Sequence, residues 1–142
     1  MIRICRLLLL LAPLALAGCG HGARQGDGAC ILASQKPMLV VELFFGRDIA
    51  GRGPVTDAEW AEFRQRVIAA QFPDGFTVYD ANGQGREAPA AGVAREGTKV
   101  VMVAVDRGVD AKAKIGAVME AYRSQFRQAS VGILTSRACG AF

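Results

Sequence analysis

Two segments of this chain are apolar at nearly every position, and they constrain the fold more than any other sequence feature. Residues 38–45 (MLVVELFF) and 98–105 (TKVVMVAV) have the pattern of strands that are covered on both faces, which is typical of the middle of a sheet. Each is followed by a segment with helical spacing and then by a further short strand pattern, at 76–81 and 130–137. The predicted element order is therefore β-α-β-β-α-β.

Local signals set the predicted limits of the two helices. Thr56 followed by Glu59 is a capping box, which predicts that the first helix begins directly after Thr56. The Phe-Pro-Asp-Gly sequence at 72–75 is predicted to end that helix. Asp110 is the predicted N-cap of the second helix, whose apolar residues recur at helical spacing as far as Phe126.

This element order predicts a ferredoxin-like fold, an α+β two-layer sandwich in which two helices cover one face of an antiparallel sheet. Right-handed crossovers place the first and third strands in the centre, with the fourth strand beside the first. The domain is predicted to span residues 38–139. Its second strand is predicted to stop at the Asn-Gly sequence at 82–83, which leaves residues 84–97 as a long, mobile loop.

The N-terminus has the pattern of an export signal. Residues 1–18 combine basic side chains with an apolar run that is too short to span a bilayer. The run ends in Leu-Ala-Gly-Cys, which resembles the bacterial lipoprotein box and implies that 1–18 is removed and that Cys19 carries lipid. The alternative is ordinary cleavage after Ala17, which releases a soluble protein. Gly20 resembles the default for delivery to the outer membrane, where the domain would face the periplasm.

The segment after the lipidated cysteine is predicted to be a flexible tether, residues 19–37. His21, the only histidine, lies in this tether, so we expect no histidine-based catalytic site, no metal site and no cofactor in the domain. Loss of Arg3 and Arg6 with the signal peptide lowers the formal net charge from +4 to +2. No cluster of basic residues remains, so nucleic acid is not an expected partner.

The cysteines predict one disulfide. Cys5 leaves with the signal peptide and Cys19 takes lipid, which leaves Cys30 and Cys139 in an oxidising compartment. The predicted topology brings the start of the first strand close to the end of the fourth, and these two cysteines lie at those positions. Two free buried cysteines are the alternative.

The open face of the sheet, the face that no helix covers, is the main candidate for a functional site. Val40, Glu42 and Phe44 alternate with core residues and are predicted to lie on this face, with Thr77 and Tyr79 at its border. An apolar open face needs a cover, which would be a second subunit or a ligand. Glu42 stands alone among apolar neighbours and is the residue most expected to matter.

Two further hypotheses rest on charged residues. Arg47 and Arg52 lie in a glycine-rich turn before the first helix, where they could hold a small anion; a plain loop is the alternative. Glu42 itself has an ordinary structural alternative, an ion pair with Lys99 or Arg137 at the sheet edge.

The chain also resembles the bacterial domain-of-unknown-function family 3574. The similarity covers about residues 38–131 and is carried by ELFFG at 42–46, VTD at 55–57 and FPDGFTV at 72–78, of which the Phe-Pro-Asp-Gly turn is the most specific. The family has no assigned activity, so the resemblance implies a fold and export but no mechanism.

The sequence thus favours a lipid-anchored envelope protein that acts as a binding or assembly module. In this interpretation the open face binds the partner, and a homodimer is one form of it. The alternative is a small histidine-free enzyme in which the carboxylate of Glu42 or Glu96 acts as the base on a small apolar substrate.

Overall fold

A four-stranded antiparallel sheet carries helices on one face in the computed structural model, which describes residues 30–86, 92–106 and 109–142. The strands are β1 (Lys36–Gly46), β2 (Thr77–Gly85), β3 (Ala94–Val105) and β4 (Gly132–Gly140). The helical elements are α1 (Asp57–Phe63), a π-helical segment (Arg64–Ile68), α2 (Ala69–Gln71) and α3 (Val109–Phe126).

The strand order is β2-β3-β1-β4, and every neighbouring pair is antiparallel. The two strands with the strongest apolar pattern, β1 and β3, occupy the centre of the sheet. A central strand has a hydrogen-bonded neighbour on each side, so less of it is in contact with water than at an edge position. The predicted ferredoxin-like topology is therefore confirmed, including the position of the fourth strand beside the first.

The core lies between the sheet and the helices. Val41, Leu43 and Phe45 of β1 are fully buried, and Val101 and Val103 of β3 are buried beside them. An aromatic cluster fills the space above these strands, with ring centroids 4.7–6.2 Å apart; its members are Phe45, Trp60, Phe63, Tyr122 and Phe126. Burial of each large apolar side chain contributes about 1.5–3 kcal/mol, so this cluster is a major source of stability.

The capping box at the start of α1 is confirmed. The backbone N–H of Glu59 donates to Thr56 Oγ1 over 3.2 Å, and the backbone N–H of Thr56 donates to Glu59 Oε2 over 2.8 Å. The predicted cap of the second helix is wrong, because Asp110 lies inside the first turn of α3 rather than before it. A carboxylate in a first turn still interacts favourably with the helix dipole.

The hairpin formed by β2 and β3 is longer than predicted. Gly83, expected to end the strand, instead pairs with Glu96, and β2 continues to Gly85. Glycine is required at 83 for close packing, since a Cβ there would lie 2.8 Å from Thr98 Oγ1. The expectation of a loop is therefore wrong for residues 84–85 and 94–97, while residues 87–91 lie outside the described part of the chain.

A disulfide joins Cys30 to Cys139, with the two Cα atoms 5.6 Å apart. The bond forms here because Pro37 of β1 pairs with Cys139 of β4, which brings the start of the first strand beside the end of the last. The predicted pairing is confirmed. The predicted signal peptide, the lipidation site at Cys19 and His21 lie outside the described residues.

Candidate functional site

The open face is built by side chains that alternate with the core residues along each strand. The register of the sheet assigns the following residues to it: Met38, Val40, Glu42, Phe44, Thr77, Tyr79, Val100, Met102, Ala104, Leu134 and Ser136. The large side chains of Tyr79 and Leu134 remain 44% and 60% exposed, respectively. Met38 and Val100 are buried, so the accessible apolar part of this face is formed by Tyr79, Leu134 and the half-buried side chains beside them, which no helix covers.

Glu42 lies at the centre of the open face. It pairs with Met102 of β3 on one side and with Leu134 of β4 on the other. Among the described residues, its half-buried carboxylate has no hydrogen-bond or ion-pair partner. A charged group in this position is an exception to the apolar character of the face.

The alternative pairing of Glu42 with Lys99 is wrong, because Lys99 pairs with Phe45 and therefore points to the helix side of the sheet. There its ammonium group forms ion pairs with Asp57, at 3.7 Å, and with Asp80. The register also places Arg137 on the helix side, opposite Leu39. The face of each of these residues follows from the two-residue period of a strand.

The other predicted open-face residues lie around Glu42. Phe44 is the next residue on the same face of β1, and Thr77 pairs with Met102 at the start of β2. The hydroxyl of Tyr79 donates to the sulfur of Met102 over 3.8 Å, a weak contact that leaves the ring accessible. Phe44, Thr77 and Tyr79 thus form one continuous surface with Glu42.

Glu96, the second candidate base, lies elsewhere. Its carboxylate accepts a hydrogen bond from the backbone N–H of Asp48 over 3.2 Å and covers Gly46, where a Cβ would lie 2.6 Å from its oxygens. Since Glu96 is six residues along β3 from Met102, about 20 Å separates it from the row of Glu42. The two candidate bases do not share one site.

The two arginines proposed for anion binding both bind protein groups. The guanidinium of Arg47 donates to the carbonyl of Val55 over 2.7 Å and forms an ion pair with Asp57 at 3.0 Å. Arg52 makes a two-bond contact with Glu59, at 2.9 and 3.0 Å. An anion at this turn would have to displace these carboxylates.

Glu59 is the acid with the most strongly shifted pKa among the described residues. Hydrogen bonds from Arg52 and then from Thr56 stabilise its charged form and lower its pKa to about 2. These hydrogen bonds join the turn before α1 to the first turn of the helix.

A cleft of about 790 Å³ lies at one end of the sheet, and the sequence did not predict it. It forms because β2 begins at Thr77, opposite Met102, so that the last residues of β3 run past it. The Phe-Pro-Asp-Gly turn at 72–75 closes one side, and the ion pair between Lys36 and Asp106, at 2.9 Å, lies at the rim. The turn is the sequence signal for this cleft, although on its own it indicates only the end of a helix.

Within residues 30–86, 92–106 and 109–142, no His, Cys, Asp and Glu side chains are grouped in threes as metal ligands would be. No helix in this part of the chain is long and apolar enough to cross a membrane.

The strand order, the helices on one face and the uncovered sheet define a ferredoxin-like α+β domain. The chain belongs to the family described as "Protein of unknown function (DUF3574)", whose sequence model matches residues 40–142. The resemblance drawn from the sequence motifs is therefore confirmed.

Two solved structures are similar to this chain, and the first of them supports the fold. A phage SAM lyase in complex with S-methyl-5'-thioadenosine is 15% identical, with a TM-score of 0.54 and coverage of 74% of this chain and 90% of the lyase chain. CutA from Synechococcus elongatus PCC7942, complexed with a Bis-Tris molecule, is 15% identical, with a TM-score of 0.49 and coverage of 75% and 87%. At 15% identity the similarity to the lyase shows the fold alone. No curated protein matches the sequence significantly.

Proposed function

We propose that this chain is a lipid-anchored protein of the bacterial envelope that acts as a binding or assembly module through its open face. The observation that carries the proposal is the apolar character of that face, where the half-buried side chains of Phe44 and Met102 lie between the exposed side chains of Tyr79 and Leu134. Monomeric proteins rarely leave a large contiguous apolar patch in water, so a partner is expected to cover it.

The edge strand β4 extends this surface. Leu134 is 60% exposed on the open face, and the residues of β4 from Gly132 to Arg137 are all exposed. Because β4 has a sheet neighbour on one side only, it also offers a free edge next to the apolar patch. A partner that covers the centre of the face would therefore contact β4 as well.

The binding part of the proposal is tested with a matched pair of variants in residues 20–142. Leu134→Asp places a charge on the open face, whereas Ile133→Asp places the same charge on the other side of β4, where Ile133 is 43% exposed. We expect Leu134→Asp alone to weaken self-association, measured by light scattering, capture of an envelope partner, or binding of a small apolar ligand such as octanol. Equal behaviour of both variants in all three assays would contradict a function of the open face.

The anchoring part of the proposal depends on Cys19 and is tested separately. Two or more acyl chains hold a protein stably on a bilayer, so the full chain is expected in the membrane fraction with a lipid-sized mass increase on this cysteine. Cys19→Ser is expected to move the protein to the soluble fraction. A soluble wild-type chain, cleaved after Ala17 and free of lipid, would show that ordinary export is correct instead.

A further inference from the structure

We propose that the molecule that covers the open face is a small cationic amphiphile, an apolar body that carries a protonated amine which pairs with Glu42. This inference rests on the proposed function and adds the chemical class of the ligand. It follows from the position of one carboxylate within an otherwise apolar face.

Among the described residues, none of the side chains next to Glu42 is a cation. The residues next to it on the open face, along its own strand and across to β3 and β4, are Val40, Phe44, Met102, Leu134, Val100, Ala104, Gly132 and Ser136. In that ring only Ser136 carries a polar side chain. The carboxylate is therefore the single charge in the middle of the surface that a partner would cover.

Nearby basic residues do not neutralise this charge. Lys99 lies on the opposite face of the sheet and forms ion pairs with Asp57 and Asp80. Lys36, on the same strand, is paired with Asp106 at 2.9 Å and lies about 20 Å away along β1. A positive charge for Glu42 is thus expected to come from outside the described residues.

Desolvation determines what kind of cover is acceptable. Removal of an unpaired carboxylate from water costs several kcal/mol, so a purely apolar ligand over Glu42 would bind poorly. A protonated amine replaces the lost water with an ion pair in a low-dielectric setting, and its apolar body contacts the apolar side chains next to Glu42. An amine on an apolar body therefore matches both the carboxylate and its surroundings.

The same argument disfavours a second copy of this chain stacked face to face. A two-fold axis through the centre of the open face would bring the Glu42 carboxylates of both subunits together without a counter-charge. A small cationic ligand avoids this repulsion, because it brings the counter-charge that a second copy of the face lacks.

The methionines provide a direct measurement in residues 20–142, which contain every core residue described above. Met38 and Met102 lie on the open face, whereas Met119 packs against the core on the helix side. Carbon-13 labelling of the methionine methyl groups therefore gives two reporters on the face and one internal control. The probes are octylammonium, octanol and octanoate, which share the apolar body and differ in charge, all used below their micelle-forming concentrations.

We expect octylammonium to shift the Met102 signal saturably, to leave the Met119 signal unchanged, and to bind at least tenfold more tightly than octanol or octanoate. Glu42→Gln should weaken octylammonium binding at least tenfold. Glu62→Gln, an exposed carboxylate of α1 paired with Arg66, should leave it unchanged. The comparison of the three probes on the wild-type chain needs no variant, so it remains decisive if Glu42→Gln folds poorly.

Other outcomes separate this inference from the proposed function. Equal binding of all three probes at Met102 would overturn the cationic ligand while supporting an apolar binding face. A Met102 signal that shifts with protein concentration, and not with any probe, would overturn it in favour of a second copy. No response to probe or protein concentration would overturn the inference, and only equal behaviour of Leu134→Asp and Ile133→Asp in self-association, partner capture and octanol binding would overturn the proposed function itself.

Discussion

The hydroxyl of Tyr122 donates a hydrogen bond to the main-chain oxygen of Gly46 over 2.9 Å and so joins α3 to the last residue of β1. The Tyr122 ring is fully buried and packs against Phe45 at a centroid distance of 4.7 Å. The bond fixes the point where the chain leaves the sheet for the turn that carries Arg47 and Arg52. It therefore connects the aromatic core to the ion pairs at the start of α1.

Tyr122→Phe is expected to lower the free energy of unfolding by about 1–2 kcal/mol, because the partly buried oxygen of Gly46 loses the donor on the Tyr122 ring while the ring packing stays the same. Chemical denaturation measures this change. Tyr79→Phe is the matched control, since the Tyr79 hydroxyl is on the open face and contacts only the sulfur of Met102. An equal effect of both substitutions would show that the hydrogen bond to Gly46 stabilises the protein no more than the contact between Tyr79 and Met102 does.

Alkaline pH is expected to destabilise the protein through the same residue. Burial raises the pKa of Tyr122 well above its ordinary value of 10, so above pH 10 the unfolded chain releases a proton that the folded chain retains. The contribution of Tyr122 to the free energy of unfolding is therefore constant below pH 10 and decreases as the pH rises further. In Tyr79→Phe the remaining phenolate absorbance reports Tyr122, and it should appear together with unfolding. Ionisation before unfolding would contradict the prediction.

Glu59 is expected to make stability depend on acid pH. Its folded pKa of about 2 lies below its ordinary value of 4.5, so its stabilising effect is fully present above pH 4.5 and is lost as the pH falls toward 2. Glu59→Gln should lower the melting temperature at pH 7 but match the wild type near pH 2. Glu62→Gln, in the same helix and outside the capping box, serves as the control. A difference in melting temperature that persists at pH 2 would show that the substitution acts through the shape of the side chain rather than through its charge.

The bond between Cys30 and Cys139 is expected to be a large contributor to stability. The cysteines are 109 residues apart in sequence, and for a closed loop of that size chain-entropy arguments give an upper value of about 4–5 kcal/mol. The double substitution of both cysteines by Ser should lower the denaturation midpoint accordingly, and reduction of the wild type should reproduce the effect. An unchanged midpoint would show that the reduced chain is constrained by other means.

Two glycines are expected to respond to alanine in opposite directions. Gly75 has a φ of +131°, a conformation that disfavours a Cβ, so Gly75→Ala should destabilise the turn after α2 by about 1 kcal/mol or more. Gly116 lies inside α3 with open space around it, so Gly116→Ala should stabilise the protein by about 0.5–1 kcal/mol. Thermal denaturation of both variants checks the signs. The same sign for both would contradict the backbone argument.

Local patterns were sufficient for the strand alternation of β1 and for the cap of α1, whose deciding contacts lie a few residues apart, although they misplaced Asp110 at the start of α3. The alternation along β1 determines that Val41 faces the core and Glu42 the open face, because successive side chains of a strand point to opposite sides. The capping box of Thr56 and Glu59 depends on a single turn of backbone, and it formed as its spacing predicted. The sequence therefore determined the elements, their order and the composition of the open face.

Contacts between distant residues were decided only by the tertiary structure. The Asn-Gly sequence at 82–83 favours a turn on its own, yet pairing with Glu96 and Gly97 of β3 keeps it in a strand. The separation of Glu42 from Lys99 and the cleft beside Thr77 depend on strand register and on where one strand stops relative to the next. These features arise from hydrogen bonds between segments far apart in the chain, which no local pattern specifies.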